Sequence, residues 1–448
     1  MTRWLSSIWQ TPDLRGRILF TLGMLAVFRL GVFIPAPGVD RLALADWVKS
    51  GSNTMFGLYD MFSGGALQQF SVFVLGVTPY ITASILVQIL TVMVPSLERL
   101  SKEGQQGRNT ITQYTRYATI LIAVVQAWVL ATALETMKTS GGQDIVLNPG
   151  MNFRIITAIT MTAGSCFVMW LGEQISERGV GNGSSLIITA GIISQFPGGI
   201  RSVYDKVMLN ELSLLQVVLL LAVMLLVIGL IVWIERAQVR IPIQYAKRVS
   251  GRRVYAGNNH LPLKINTAGV IPPIFASSVL AFPATAAQLF PYTAVQALAS
   301  QMSPGAWLYD YFYIVMIIFF SYFYTALMFN PVDVADNLKK SQAYIPGIRP
   351  GKATAEYIDA LLNKLTGAGA LYLAGVCILP TLLIAQYGIP FAFGGTSLLI
   401  VVGVSLDTVS QIEAQLLTRH YDGLQGPTSG GALKGRRQLL LGAAGPAT

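Results

Sequence analysis

Residues 212–234 read LSLLQVVLLLAVMLLVIGLIVWI, and this stretch sets the class of fold. Between Leu214 and Trp233 almost no polar side chain interrupts the apolar run. A helix needs roughly 20 apolar residues to cross the hydrocarbon core of a bilayer, which is about 30 Å thick. The stretch therefore predicts a helix that spans a membrane.

The composition extends this interpretation to the whole chain of 448 residues. Hydrophobic residues make up 53% of the chain and charged residues only 12%, against about 25% charged residues in soluble domains. Such a chain cannot cover several soluble domains with polar surface, so most of it must face lipid. A soluble enzyme, a disulfide-rich secreted module, a disordered chain and a nucleic-acid-binding domain all fit poorly. We expect an all-α integral membrane protein.

Apolar runs of suitable length occur ten times. The run from Ile18 is followed by no small-residue cleavage site, so we interpret it as an anchor rather than a removed signal peptide. The weakest run is 184–197, which is short and contains Ser184, Ser185 and Thr189. The ten predicted transmembrane helices are 18–34, 71–94, 117–134, 155–172, 184–197, 212–234, 265–282, 307–329, 368–386 and 394–416.

The basic residues test this count, since cytoplasmic loops collect lysine and arginine. If ten spans place both termini on one side, that side holds most of the 31 basic residues, and Arg29 lies within the first span. Without span 184–197, the last three groups of basic residues would lie outside. The charges therefore predict that 184–197 crosses the membrane and that both termini are cytoplasmic.

Two pairs of spans resemble each other. Residues 76–84 (GVTPYITAS) match residues 269–277 (GVIPPIFAS) at six of nine positions, and residues 183–191 (GSSLIITAG) match residues 395–403 (GTSLLIVVG) at five of nine. The second helix thus resembles the seventh, and the fifth resembles the tenth. Because five is odd, two five-helix halves must have opposite orientations, which is the inverted repeat of many transport proteins.

The glycines and prolines of the second and seventh spans also bear on function. They weaken the hydrogen-bond ladder of the helix, which is typical of helices that line a cavity or move. We therefore expect these two spans to line a central pore.

Motifs of catalysis and cofactor binding are missing from the sequence. There is no HExxH, Walker A, GxSxG or Cys/His cluster, so we predict no metal, no cofactor and no enzymatic activity. An ion-coupled transporter should keep ionisable residues near mid-membrane, where each costs about 2.5–3.5 kcal/mol. Arg29 and Asp407 lie towards the ends of their spans, and we interpret both as helix-end or interhelical polar contacts. The uncharged centre favours a passive conduit that is driven from elsewhere.

Seven further sequence motifs follow one another along the chain between the first and ninth spans. They are FIPAPG at 33–38, MFSGGAL at 61–67, QYTRY at 113–117, ERGVGNG at 177–183, YAKR at 245–248 with GRRVY at 251–255, HLPLK at 260–264, and ADNLKK at 335–340 with PGIRPG at 346–351. Together they resemble the SecY family, whose members are the central subunits of the Sec protein-conducting channel. The resemblance covers roughly residues 10–420.

The resemblance implies an hourglass pore that is closed by a ring of apolar side chains, with a plug on its outer side. The ring positions carry over to Ile81, Ile85, Ile188, Ile274 and Ile400. The repeat independently pairs Ile81 with Ile274 and Ile188 with Ile400. Ser184 departs from the family pattern, because it replaces an apolar residue one turn before Ile188. The plug carries over to about 57–70, centred on Phe62 to Gln69. Its candidate site residues are Phe62, Ser63, Gly64, Gly65, Ala66 and Leu67.

The resemblance also implies partners. Spans two, three, seven and eight would form a lateral gate through which signal-sequence-bearing polypeptides and membrane helices reach lipid. The basic cytoplasmic loops resemble docking sites for the ribosome and the SecA ATPase motor, with candidate contacts at Lys247, Arg248, Arg252, Arg253 and Arg349. SecE and SecG subunits and a bacterial inner (cell) membrane are expected from the family.

The expected organisation has four parts. They are a cytoplasmic N-terminal segment (1–17), a first five-helix half (18–197) with the plug, a second half (198–416) with basic loops 236–264 and 330–365, and a flexible cytoplasmic tail (417–448).

The residues alone leave two other functions open. A secondary transporter of small solutes would share the inverted repeat and the broken helices. It needs a polar site at mid-membrane, for which the spans supply only hydroxyls and glutamines such as Gln88 and Gln126. A scaffold that assembles other membrane proteins would have no pore.

Overall fold

A computed structural model describes most of the chain. The described residues are 11–40, 43–44, 63–136, 144–209, 211, 213–245, 248–250, 253–255, 258–289, 306–387 and 395–424. Their side chains are described except at 136, 214, 220, 245, 248–250, 253–255, 258–259, 281–289, 379–387 and 417–424.

Helices dominate the described residues. The helices are α1 (Pro12–Val32), α2 (Thr78–Met93), α3 (Pro95–Lys102), α4 (Gln105–Thr136), α5 (Met151–Arg178), α6 (Gly183–Met208), α7 (Leu214–Arg236), α8 (Ile271–Leu289), α9 (Trp307–Met328), α10 (Pro331–Lys340), α11 (Lys352–Tyr387) and α12 (Gly395–Leu424). The strands are β1 (Gln238–Tyr245), β2 (Arg248–Ser250), β3 (Arg253–Tyr255), β4 (Asn258–Lys264) and β5 (Ala343–Tyr344).

Seven helices in the described part of the chain are long and apolar enough to cross a membrane, namely α4 to α7, α9, α11 and α12. The pair α2 and α3 bends by 100° and adds an eighth if it is counted as one span. Helix α1 is outside this group because its charged residues include Arg15, Arg17 and Arg29. The side chains of α8 are described over Ile271–Leu280, and this part is a shorter apolar helix. The protein is a mostly helical membrane protein, and the count of ten spans stays a prediction.

The weakest predicted span is a long helix. Helix α6 has 26 residues and is apolar enough to cross a membrane. It begins where the Asn182 side chain accepts a hydrogen bond from the backbone N–H of Ser185. Such a cap satisfies a donor that the first turn leaves unpaired. This short apolar run is therefore part of a helix long enough to cross a membrane, and the crossing that the basic residues predict stays a prediction.

The second span begins later than predicted. Residues 72–77 form turns, and α2 starts only at Thr78. Two backbone hydrogen bonds tie this region to the chain after α1, from Ala36 N–H to Phe70 O at 2.7 Å and from Val72 N–H to Ile34 O at 3.0 Å. Because the turns are apolar and buried, hydropathy did not distinguish them from helix.

The two basic loops share one β-sheet, which the all-α prediction did not include. The sheet is antiparallel with strand order β4-β1-β5, so the first loop supplies two strands and the second loop one. Its core joins the strands to α10 and α11. The buried members are Ile241, Ile243, Leu263, Leu338, Ala343, Ile345, Ile358 and Leu362. Each loop alone is too short for a domain, but together they form a single unit.

The helices pack in the same order in the two halves of the chain. In the first half α2 packs on α4, α4 on α5, α5 on α6 and α1 on α6. In the second half α8 packs on α9, α9 on α11, α11 on α12 and α7 on α12. Between the halves, α6 packs on α12, and α8 packs on α2 and α4. The four helices with repeated motifs therefore meet where the halves meet.

Two glycines at equivalent positions of the repeat explain part of the similar packing in the two halves. A Cβ atom on Gly183 would collide with the backbone oxygen of Gly172 in α5, and one on Gly395 would collide with the backbone oxygen of Val376 in α11. Each glycine is the first residue of its helix. The repeated motif thus allows α6 and α12 to approach the preceding long helix equally closely.

We expect Gly183→Ala and Gly395→Ala each to lower the free energy of unfolding by about 1–3 kcal/mol, as overpacking does elsewhere. Thermal unfolding of the purified protein in detergent measures the effect. Gly198→Ala is the matched control, because nothing lies within 4 Å of a Cβ there and alanine favours helix by about 1 kcal/mol. Equal melting temperatures for all three variants would contradict the close approach.

Candidate functional site

The five predicted ring isoleucines come together in one hydrophobic cluster. Ile85 of α2, Ile188 of α6, Ile274 of α8 and Ile400 of α12 are buried there, with exposed fractions of 6%, 3%, 8% and 1%. Ile81 of α2 is partly buried and packs against the same cluster. The cluster thus draws on both halves of the chain at the seam between them.

The positions of these residues follow from where their helices begin. Ile81 and Ile85 are one turn apart and lie on one face of α2. Helix α8 begins at Ile271 and α12 at Gly395, so Ile274 and Ile400 lie in the first two turns of their helices. Branched methyl groups offer water and ions no hydrogen bonds, so such a cluster can exclude both.

Ser184, where the sequence departs from the family pattern, takes part in capping α6. Its hydroxyl donates a hydrogen bond to Asn182 Oδ1 at 2.8 Å, and Asn182 also caps the helix. The side chain therefore contributes to the start of α6 rather than to the isoleucine cluster.

The described part of the predicted plug is a buried run of turns. Phe62 and residues 57–61 lie outside the described residues, whereas Ser63, Ala66 and Leu67 are at most 2% exposed. Ala66 packs in a cluster with side chains of α1, α5 and α6, and Leu67 packs in a second cluster with α4 and α5. The segment is therefore held by the first half of the chain.

Two consecutive glycines give the segment its shape. Gly64 and Gly65 have φ values of +71° and +85°, a region that favours glycine. A Cβ atom on Gly64 would lie only 2.8 Å from Gly191 Cα in α6. Gly191 is three residues beyond Ile188, or about 4.5 Å along the helix axis. The segment therefore contacts α6 next to the isoleucine cluster.

Polar contacts fix the start of α8 beside the cluster. The buried Asn266 side chain donates hydrogen bonds to Glu235 Oε1 of α7 at 2.6 Å and to Gly269 O at 3.0 Å. Lys264 Nζ, at the end of β4, lies 3.4 Å from Asp407 Oδ1 of α12. Asp407 thus makes a polar contact between α12 and strand β4, whereas the sequence predicted a helix-end or interhelical contact.

The candidate docking residues are described only in part. Arg349 is exposed in the turn between β5 and α11, and its backbone oxygen accepts a hydrogen bond from Thr354 Oγ1 at 2.8 Å. Arg248 and Arg253 lie on the antiparallel β2–β3 hairpin, where their side chains are outside the described part. Lys247 and Arg252 lie outside the described residues altogether.

Comparison with protein families identifies the chain. The family model named SecY matches residues 71–409. The chain belongs to the SecY family. The protein translocase subunit SecY of Aquifex aeolicus is 44% identical over 423 residues, which cover 94% of this chain and 99% of the relative. SecY of Escherichia coli K12 is 46% identical over 415 residues, or 92% of this chain and 93% of the relative.

Solved structures share the fold at low sequence identity. A protein-conducting channel aligns with a TM-score of 0.64 at 17% identity, and a SecY protein whose plug domain maintains a membrane seal aligns with 0.64 at 18%. Sec61 of the canine ribosome-channel complex aligns with 0.61 at 16% identity. Each alignment covers 89% of this chain and 91% of the other. The family is one of channel subunits rather than enzymes.

Proposed function

We propose that this chain is the central subunit of a channel that passes unfolded secretory polypeptides across the membrane. It also releases membrane-protein helices sideways into lipid. The observation that carries the proposal is the convergence of five isoleucines, from four helices and both halves, in a member of the SecY family. A secondary transporter of small solutes and an assembly scaffold have no such support from the named relatives.

The isoleucines form the constriction of the pore in this proposal. Their methyl groups give ions and water no polar partner, so the closed collar stays dry and sealed. For the same reason the collar binds no particular side chain strongly, and polypeptides of diverse sequence can pass. The low exposure of four of the five is what a closed collar requires.

The chain crosses the membrane ten times in this proposal, as two five-helix halves of opposite orientation around the pore. The repeated order of helix packing and the matched glycines support the two halves. The two halves are 18–197 and 198–416, flanked by a cytoplasmic segment (1–17) and a cytoplasmic tail (417–448). The named relatives are bacterial, which supports the bacterial inner membrane as the location.

The lateral gate lies between α2 and α4 of the first half and α8 and α9 of the second. Helix α8 packs on both α2 and α4, and Ile85 of α2 shares the apolar cluster with Ile274 of α8. On the other side of the pore α6 packs on α12. If the α6–α12 contact acts as the hinge, separation of α8 from α2 opens the pore to lipid.

The plug, residues 57–70, covers the outer side of the collar. Its contact with Gly191, close to Ile188, supports this role. A solved neighbour in which a plug domain maintains a membrane seal supports it further.

Removal of residues 60–70 should make the resting channel leak ions, because the collar then loses its outer cover. The rate at which reconstituted vesicles lose an imposed potassium gradient measures the leak. An unchanged rate would contradict the plug assignment.

A pair of glycine variants tests the plug without a deletion. Gly64→Ala places a Cβ against Gly191, whereas nothing lies within 4 Å of a Cβ on Gly65. Both residues have positive φ, so both variants carry similar backbone strain. We therefore expect faster ion loss from Gly64→Ala than from Gly65→Ala.

External partners supply the energy for transport. SecA and the ribosome dock on the basic loops 236–264 and 330–365, through Lys247, Arg248, Arg252, Arg253 and Arg349. SecE and SecG complete the channel. The positive charge of the loops would attract an acidic protein surface or ribosomal RNA, and a solved neighbour of this fold is Sec61 in a ribosome-channel complex.

Arg349→Glu should reduce ATP-driven uptake of a secretory precursor about tenfold or more, since a like charge at a docking surface costs several kcal/mol. Uptake into vesicles that contain the channel and SecA measures the effect. Arg349→Lys retains the charge and should keep most of the activity. Lys352→Glu reverses a charge whose side chain is 92% exposed in the same segment, and we expect a smaller effect there. Normal uptake with Arg349→Glu would contradict the docking role.

A further inference from the structure

Arg29 is a charged residue within the first predicted span, and its side chain reaches the plug. Its Nη1 atom donates a hydrogen bond to the backbone oxygen of Gly64 at 2.8 Å. The guanidinium carbon lies 5.7 Å from the centre of the Phe33 ring. A charge within a transmembrane segment is costly unless it finds partners inside the protein. The plug thus provides one of the polar partners that this arginine needs.

The backbone oxygen of Gly64 can accept a hydrogen bond from Arg29 because Gly64 lies in a turn. Gly64 has a left-handed conformation, so its carbonyl is outside any helical hydrogen-bond ladder. A Cβ atom at this position would lie 3.1 Å from Arg29 Nη1 and 2.8 Å from Gly191 Cα. Gly64 is therefore held between α1 on one side and α6 on the other.

The far end of the segment is fixed by the backbone. Phe70 O accepts a hydrogen bond from Ala36 N–H, and Val72 N–H donates to Ile34 O. These bonds join residues 70–72 to the chain just after α1. Gly64 precedes this anchor, so the Arg29 contact holds a part of the plug that these backbone bonds do not.

We propose that Arg29 is a positioning residue that latches the plug in the closed channel, and that its hydrogen bond to Gly64 breaks each time the plug leaves. This inference rests on the proposed plug. Arginine keeps its charge at any physiological pH, so the strength of the latch does not depend on a proton. A hydrogen bond to a charged group corresponds to about a ten- to hundredfold change in an equilibrium. The population of channels with a displaced plug should rise by about this factor when the bond is lost.

The test measures ion loss from vesicles that contain the assembled channel complex. Arg29→Gln removes the charge and shortens the donor, and we expect its resting ion flux to rise by about tenfold or more. Arg17→Gln is the matched control, since Arg17 is an exposed arginine of the same helix and its loss changes the net charge equally. We expect its flux to equal that of the unchanged chain.

A double variant separates the latch from general damage to the helices. In a chain that lacks residues 60–70, Arg29→Gln should add nothing to the flux, because the plug it holds is gone. A further rise in that background would show that Arg29 acts on the helices themselves and would overturn the latch.

The remaining outcomes distinguish the latch from the plug. If the deletion leaks and Arg29→Gln alone does not, the plug stands and the latch is wrong. If neither change affects the flux, the plug assignment fails and the latch fails with it.

Discussion

The proposed pore depends on the apolar packing between the two halves of the chain. The isoleucines of α2, α6, α8 and α12 lie in one cluster there, and each comes from a helix whose motif is repeated in the other half. A seal of this kind owes its strength to the exclusion of water rather than to specific bonds. In the proposed channel, it could therefore part around a passing polypeptide and close again without leaving a hydrogen-bonding group unpaired.

Hydrogen bonds and close glycine contacts lie around the isoleucine cluster, on the elements that set its position. The glycines that begin α6 and α12 bring these helices against α5 and α11. Asn266 joins the start of α8 to Glu235 of α7, and Arg29 joins α1 to the plug. In the channel that we propose, transport requires an external partner to separate apolar surfaces and to break a small number of polar contacts. The basic loops, which share a single sheet, offer such a partner one connected unit rather than two loose segments.

Much of this arrangement could be predicted from the sequence. Hydropathy predicts the spans, the basic residues predict on which side each loop lies, and the internal repeat predicts which helices correspond in the two halves. The apolar run at 184–197 lies in a helix that is long enough to cross a membrane, as the charges require, and the repeat paired the isoleucines that share a cluster. The sheet is not evident from either loop alone, because its strands come from both loops, although Val239, Ile241 and Ile243 alternate as in a strand. The buried turns at 72–77 and the contact from Arg29 to Gly64 depend on residues distant in sequence, which no local pattern reveals.

A polypeptide path through the isoleucine cluster is best tested by crosslinking. A single cysteine replaces Ile400, Cys166 and Cys377 are changed to alanine, and a secretory polypeptide is stalled during transport. We expect Ile400→Cys to crosslink to the stalled chain, while Leu225→Cys, at a position 70% exposed on α7, does not. If the stalled polypeptide is engaged and no adduct forms at position 400, the path does not run through the cluster and the proposed pore is wrong.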